Sequence, residues 1–171
     1  METSSNIVIG VDNGVTGTVG IISSAGYWLY ETPTSKAQDY TKTKKNITRI
    51  NSNELRKLLL AHIPDDINQR HNVYVVLERP MVNPTRWAAS GSALRALEST
   101  LVVLESLGLR YEFVDSKEWQ KKLLPKGTEK EGLKTASVDV GVRLFPSCAD
   151  LIRKHKDADG LLIAEWAKRE R

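Results

Sequence analysis

The segment NIVIGVD, residues 6–12, carries the strongest fold signal in this sequence. Its residues are apolar and β-branched up to the final aspartate, which predicts a buried β-strand that delivers a carboxylate to its C-terminal end. Asn13-Gly14 follows as a tight turn. Residues 17–23 and 27–32 predict two further strands, so the chain opens with a three-stranded antiparallel meander.

The remaining patterns alternate between helix and strand. Strands are predicted at residues 72–77 and 111–114, and helices at 52–62, 86–107, 116–124, 133–145 and 157–169. Residues 33–50 are polar and basic and predict an exposed, mobile loop. The order predicts an α/β fold with a mixed five-stranded sheet, namely the antiparallel meander plus two parallel strands, flanked by helices in a single domain of residues 1–171.

Composition excludes several classes of protein. With 40% hydrophobic and 27% charged residues in a chain of 171, global disorder is excluded. No apolar run is long enough for a membrane span, and the N-terminus does not look like a secretory leader. These features predict a cytoplasmic protein, with an organelle as the alternative. The lone Cys148 and three scattered histidines predict neither a disulfide nor a zinc cluster. A net charge of +4 permits a polyanionic partner.

Four acids stand where the predicted fold brings them together. Asp12 and Glu78 each follow an apolar strand, and Asp157 and Asp159 open an amphipathic helix. If that helix lies over the first strand, three or four carboxylates converge, because the carboxyl ends of neighbouring parallel strands share one edge. An oxygen-only pocket of this kind suits magnesium or manganese.

Each acid also has a purely structural interpretation. Asp157 could be a helix N-cap, and Asp159 a first-turn acid favoured by the helix dipole. Glu78 could form a salt bridge with Arg79 or Arg86. The aspartate that follows the first strand could be an Asx-turn residue. The occurrence of all four acids together favours a shared metal site over four separate structural roles.

These motifs resemble those of RuvC-like Holliday junction resolvases, in particular the phage and chloroplast branch. The matching stretches are IVIGVDNGVTGTVGII at 7–22, VVLERP at 75–80, HKDADGLLIAEW at 155–166, Trp119 with Lys121, and residues 134–146. The resemblance implies an RNase H-like fold and magnesium-dependent cleavage of four-way DNA junctions by a homodimer. It also implies two Mg²⁺ ions per active site, which Mn²⁺ can replace.

The resemblance also implies roles for individual residues. Asp12, Glu78 and Asp159 carry over as metal ligands, and the fourth ligand is Asp157 or, as the alternative, His155. Lys134 would add positive charge at the scissile phosphate, although a lysine on a helix is more often simply solvated.

Basic residues predict where DNA would bind. The candidate DNA contacts are Lys42, Lys44, Lys45, Asn83, Arg86, Lys121 and Lys122. Trp87, beside Arg86, could insert into a junction or fill the core. The leucines at 94, 97, 101 and 104 form a stripe that is either a dimer seam or a face packed on the sheet.

Other functions remain open on the sequence alone. The glycine-rich turn after Asp12 also resembles the phosphate loop of sugar kinases, actin and Hsp70 ATPases, but 171 residues cannot supply their two related domains. The remaining alternatives are another RNase H-like nuclease that acts on RNA or RNA–DNA hybrids, and a catalytically inactive junction-binding module.

Overall fold

The computed structural model of the protein describes residues 6–171. Its strands are β1 (Ile7–Val11), β2 (Thr18–Ser23), β3 (Gly26–Glu31), β4 (Thr34–Gln38), β5 (Asn46–Ile50), β6 (Val73–Glu78) and β7 (Tyr111–Val114). Its α-helices are α1 (Ser52–Leu60), α2 (Trp87–Ser106), α3 (Ser116–Leu123), α4 (Leu133–Leu144), α5 (Ala149–His155) and α6 (Asp159–Glu170). Among the described residues, no helix has the length and apolar character needed to cross a membrane.

The main sheet has the strand order β3-β2-β1-β6-β7 and confirms the predicted fold class. β1, β2 and β3 form an antiparallel meander, while β6 runs parallel to β1, and β7 runs parallel to β6. Val11 is aligned with Leu77 across β1 and β6. The residues that follow them, Asp12 and Glu78, therefore leave the sheet at the same edge.

Helices cover both faces of the sheet. On one face, Ile9 and Val11 of β1 belong to a core shared with α1 and α2. On the other face, Val8 and Val76 belong to a core shared with α3, α4, α5 and α6. Because β1 is buried on both faces, it reads in the sequence as a continuous apolar run.

The leucine stripe of α2 packs on the sheet. Leu104 is fully buried in the core beneath α2, and the partly buried Leu97 and Leu101 pack against the same cluster. Of the two alternatives for the stripe, the structure therefore favours the packed face over the dimer seam. Leu94, at the start of the stripe, is 41% exposed.

Helix α6 crosses β1 and β2 at three glycines. Gly10 and Gly20 are aligned across β1 and β2. A Cβ at Gly160 would lie 2.7 Å from both the Gly20 backbone nitrogen and the Thr18 carbonyl oxygen. Glycine at these positions thus lets the helix backbone rest directly on the strands, and this contact fixes the first turn of α6 beside the end of β1.

The prediction of a mobile loop over residues 33–50 is wrong. β4 and β5 pair with each other as an antiparallel hairpin, separate from the main sheet. Thr34–Gln38 contains one apolar residue, so alternation in the sequence gives no strand signal there. Backbone pairing and the cross-strand hydrogen bond from Lys36 Nζ to Thr48 Oγ1 (2.7 Å) define the hairpin instead.

Two smaller differences concern the helices. Asn51, rather than Ser52 or Asn53, caps α1, since its Oδ1 accepts a hydrogen bond from the Glu54 backbone N–H at 3.2 Å. The seven-residue α5 was not predicted at all. It ends at His155, and the next residue, Lys156, has a positive φ of 53° that turns the chain toward Asp157 and α6.

Candidate metal centre and nucleic-acid interface

Three carboxylates converge at the edge of the sheet. Asp12, Asp157 and Asp159 each offer one oxygen, and these oxygens all lie within 4.8 Å of one another. Asp12 follows β1, while Asp157 and Asp159 flank the start of α6. The packing of α6 on the glycines of β1 and β2 therefore positions the cluster.

Asp157 is not the N-cap of α6, which is Ala158, but its side chain still holds the start of that helix. Its Oδ1 accepts hydrogen bonds from Thr18 Oγ1 and from the Asp159 backbone N–H, both at 2.9 Å. Thr18 Oγ1 in turn accepts from the Gly160 N–H at 3.0 Å. Asp157 thus anchors the beginning of α6 and also belongs to the carboxylate cluster.

His155 points to a different partner. Its Nδ1 lies 2.5 Å from Oε1 of Glu31, at the end of β3. Of the two candidates for the fourth ligand, the structure brings Asp157 into the carboxylate cluster and pairs His155 elsewhere.

Glu78 lies beside the cluster and is held by a buried tryptophan. Trp119 of α3 is 1% exposed, and its Nε1–H donates to Glu78 Oε2 at 2.7 Å. Asp159 has a similar support, because the buried Ser137 hydroxyl of α4 donates to its Oδ1. Each of these donors is distant in sequence from its acceptor.

The electrostatics of the site favour a bound cation. Burial, followed by repulsion from Asp157, Asp159 and Glu78, raises the pKa of Asp12 well above its ordinary value. Mainly through burial, the pKa of Glu78 rises to about 7 and that of Asp159 to about 6. Oxygen-only donors that repel one another in this way fit a divalent ion, which relieves the repulsion.

Lys134 is close enough for its charge to act on the site. Although its side chain is exposed on α4, its positive charge lowers the pKa values of Asp12 and Asp159. Burial outweighs this effect for both acids, so their pKa values are still raised.

The raised pKa values predict a pH-dependent stability. For Glu78 and Asp159 the folded state binds protons more tightly than the unfolded state. Without divalent ions, the free energy of unfolding should therefore fall as pH rises from about 4 to about 7. At about 1.4 kcal/mol per pKa unit, the melting temperature should be about 10 °C lower at pH 8 than at pH 5.

Thermal unfolding in EDTA and in Mg²⁺ at both pH values measures this effect. Mg²⁺ should restore most of the lost stability at pH 8 and have little effect at pH 5, where protons already neutralise the acids. Equal melting temperatures at the two pH values in EDTA would contradict the assigned electrostatics.

A basic groove begins at Glu78. This groove, of about 910 Å³, lies between α3 and the loop that leads to α4, and its lysines are Lys117, Lys121, Lys126 and Lys130. Lys122 points elsewhere and pairs with Glu170 at 3.1 Å. The predicted contacts Lys42, Lys44 and Lys45 are exposed between β4 and β5, at the tip of the hairpin.

The segment after Glu78 is exposed. Asn83 Oδ1 accepts from the Thr85 N–H at 3.0 Å, which caps the turn before α2. Asn83 and Arg86 line a cleft that also includes Glu78. Trp87 is 80% exposed, so its interpretation as a core residue is wrong.

Sequence reasoning missed the three side chains that support the carboxylates, Thr18, Ser137 and Trp119. Each one donates across a long sequence separation to Asp157, Asp159 or Glu78. All three fall within stretches that carry the family resemblance, and this was the one signal available for them. Their role as hydrogen-bond donors emerges only from the fold.

Comparison with solved structures finds the same architecture. Thermus thermophilus RuvC in complex with a Holliday junction substrate superposes with a TM-score of 0.57, 13% identity and 96% coverage of both chains. A second T. thermophilus RuvC structure gives a TM-score of 0.46, 15% identity and 96% coverage of both chains. A scan of protein-family profiles and a search of curated proteins give no match. The first superposition establishes that this chain has the fold of RuvC.

Proposed function

We propose that this protein is a metal-dependent endonuclease that resolves four-way DNA junctions. The observation that carries the proposal is the convergence of Asp12, Asp157 and Asp159 at the sheet edge, with Glu78 beside them. The RuvC-like fold and the basic surfaces next to this cluster support it.

The four carboxylates would hold two Mg²⁺ ions, or Mn²⁺ in their place. When bound, the ions supply activation of a water and neutralise the charge that develops on the scissile phosphate. The chain keeps its carboxylates oriented through the hydrogen bonds from Thr18, Ser137 and Trp119. Lys134 adds a positive charge beside the phosphate.

The DNA would lie along the basic surfaces around the cluster. Phosphates would contact Lys121 in the groove that begins at Glu78, and Lys42, Lys44 and Lys45 at the hairpin tip. Lys122 would contribute only if DNA replaces its pairing with Glu170. Asn83, Arg86 and the exposed Trp87 would face the branch point, where an aromatic ring can stack on an unpaired base.

Paired cleavage of a junction requires two active sites, and residues 6–171 of each chain hold one such carboxylate cluster. We therefore propose a homodimer, in which a twofold axis relates the two sites as it relates the two cut strands. Since Leu104 is buried in the core of its own chain, the dimer contact would use residues outside the packed part of the leucine stripe.

Substrate choice tests the proposal against its alternatives. A four-way junction, an RNA–DNA hybrid and a linear duplex of matched sequence would each be incubated with the protein in Mg²⁺. We expect the junction to be nicked at least about 100-fold faster than the others, a ratio worth about 3 kcal/mol of differential binding in the transition state. Preferential cleavage of the hybrid would indicate another RNase H-like nuclease. Junction binding without nicking would indicate an inactive binding module.

The fourth-ligand question has a direct test. Asp157→Asn should lower the junction cleavage rate about 100-fold, because it removes a charged oxygen from the cluster. His155→Ala should change the rate less than about threefold, because His155 pairs with the exposed Glu31 and contributes no atom to the carboxylate cluster. Single-turnover rates in saturating Mg²⁺ measure both variants, and the reverse order would make His155 the ligand.

Trp119→Phe tests whether the hydrogen bond from the Trp119 indole N–H keeps Glu78 in place. Removing the indole N–H should weaken the apparent Mg²⁺ affinity about 10- to 100-fold and leave much of the activity recoverable at high Mg²⁺. Trp28→Phe is the matched control, since Trp28 packs partly buried on the opposite face of the sheet. The Mg²⁺ dependence of the rate measures the effect. A rate loss that Mg²⁺ cannot recover would argue against a positioning role.

A further inference from the structure

A second cleft near the carboxylate cluster contains two arginines. It lies between the β4–β5 hairpin and α2 and has a volume of about 350 Å³. The hairpin contributes Tyr40 and Arg49, while α2 contributes Gly91, Ser92 and Arg95. The small α2 residues leave the cleft open beside the arginines.

Arg95 carries a hydrogen-bond donor without a partner. Its Nε is buried and makes no hydrogen bond. Within residues 6–171, neither Arg49 nor Arg95 forms a salt bridge, although Glu98 lines the same cleft. Because Nε is closed to solvent, an anion in the cleft would meet the terminal guanidinium nitrogens of Arg95, one of which lies beside the lining residue Gly91. With two arginines and one glutamate, the lining has a net charge of +1.

The cleft is connected to the metal centre through the turn after β1. Val15, three residues after Asp12, forms part of the cleft lining. Asn13 Nδ2 donates to the Ala93 carbonyl oxygen of α2 at 3.2 Å. The lysines at the hairpin tip extend the positive surface from the same hairpin that forms one wall of the cleft.

We propose that this cleft binds one backbone phosphate of the nucleic-acid strand, and that Arg95 and Arg49 hold it. The inference rests on the proposed function and adds a phosphate site on the α2 side of the carboxylates. The guanidinium group of arginine presents parallel donors to two phosphate oxygens, which a lysine cannot match. The exposed ring of Tyr40 provides an apolar surface for the adjoining sugar or base.

Salt-dependent binding tests the site without requiring cleavage. Binding of the full chain to a fluorescent four-way junction would be measured in EDTA over a range of salt concentrations. Arg95→Gln should weaken binding about tenfold at low salt and reduce the slope of log affinity against log salt by about 1. Arg49→Gln should act in the same direction. Arg95→Lys should keep the slope but lose affinity, because it retains charge and loses the paired donors.

Arg110→Gln is the matched control. Arg110 is exposed just before β7, at the opposite end of the parallel strands from the carboxylates. This variant should bind the junction with wild-type affinity, because its charge is remote from the proposed contact. The slope of log affinity against log salt should also differ little from that of the wild type.

Neutral phosphates in the DNA identify the contact itself. In a series of junctions that each carry one methylphosphonate, one position should weaken wild-type binding about tenfold and leave Arg95→Gln binding unchanged. An unaltered salt slope in Arg95→Gln would overturn the proposal. So would losses of binding affinity from the methylphosphonate and from Arg95→Gln that simply add at every position. So would a change in sedimentation with an unaltered slope, which would make the cleft a contact between copies of the chain. A wild-type protein that binds in this way but cuts no substrate in Mg²⁺ would instead refute the proposed function.

Discussion

Asp12→Asn is expected to lower magnesium-dependent cleavage of a four-way junction at least about 1,000-fold while junction binding is retained. The substitution keeps the shape of the side chain and removes the charge at the centre of the carboxylate cluster. The basic groove and the hairpin tip remain, so the phosphate contacts are unchanged. Single-turnover cleavage and binding in EDTA measure the two properties separately.

The same variant should become more stable in the absence of metal. Burial and three neighbouring acids hold the pKa of Asp12 well above its usual range, so neutral asparagine removes a repulsion that the metal-free protein suffers at pH 8. A higher melting temperature in EDTA would exclude misfolding as the cause of lost activity. Asp65→Asn, on an exposed loop residue, is the control and should alter neither property. Cleavage at a near wild-type rate by Asp12→Asn would contradict the site.

Gly20→Ala is expected to have the largest effect on the fold and to disturb the site indirectly. A Cβ at Gly20 would collide with the backbone of Gly160 and Leu161, where no side chain can move aside. The helix must shift, which should cost about 3 kcal/mol of stability and about 10 °C in melting temperature. Because Asp159 begins that helix, cleavage should fall about 100-fold.

Gly132→Ala provides the matched control for this substitution. Its added Cβ would meet only the Thr128 methyl group at 3.5 Å, an ordinary contact, and its backbone is helical. It should leave stability and cleavage close to wild type. A Gly20→Ala protein as stable and active as this control would refute the close contact between α6 and the strands.

The sequence was most informative where a residue's environment follows from its neighbours along the chain. The apolar run of β1 and the acid after it predicted both the buried strand and the position of Asp12. Glu78 followed by the same reasoning from β6. The amphipathic pattern of the last helix placed Asp157 and Asp159 with them, and the resemblance added His155 as the alternative to Asp157. That choice depends on how the chain turns at Lys156.

Tertiary contacts explain what the sequence did not predict. Periodicity located the face of α2 that carries Leu104, but it could not say whether the sheet or a second chain covers that face. The hairpin of residues 34–50 depends on pairing between polar strands, which gives no apolar alternation. The family resemblance marked Trp119 without giving it a role, and its hydrogen bond to Glu78 exists only because the fold brings α3 to the end of β6.

Mapping the cuts on a synthetic mobile junction shows whether the carboxylate cluster resolves four-way DNA. Each of the four strands would be labelled in turn, and the wild-type protein would be added in Mg²⁺ and in EDTA. We expect nicks at symmetric positions on two opposed strands in Mg²⁺, no nicks in EDTA, and none with Asp12→Asn. Cleavage that persists in EDTA or with Asp12→Asn would contradict the proposed metal-dependent nuclease, and so would the absence of any junction cleavage by the wild-type protein in Mg²⁺.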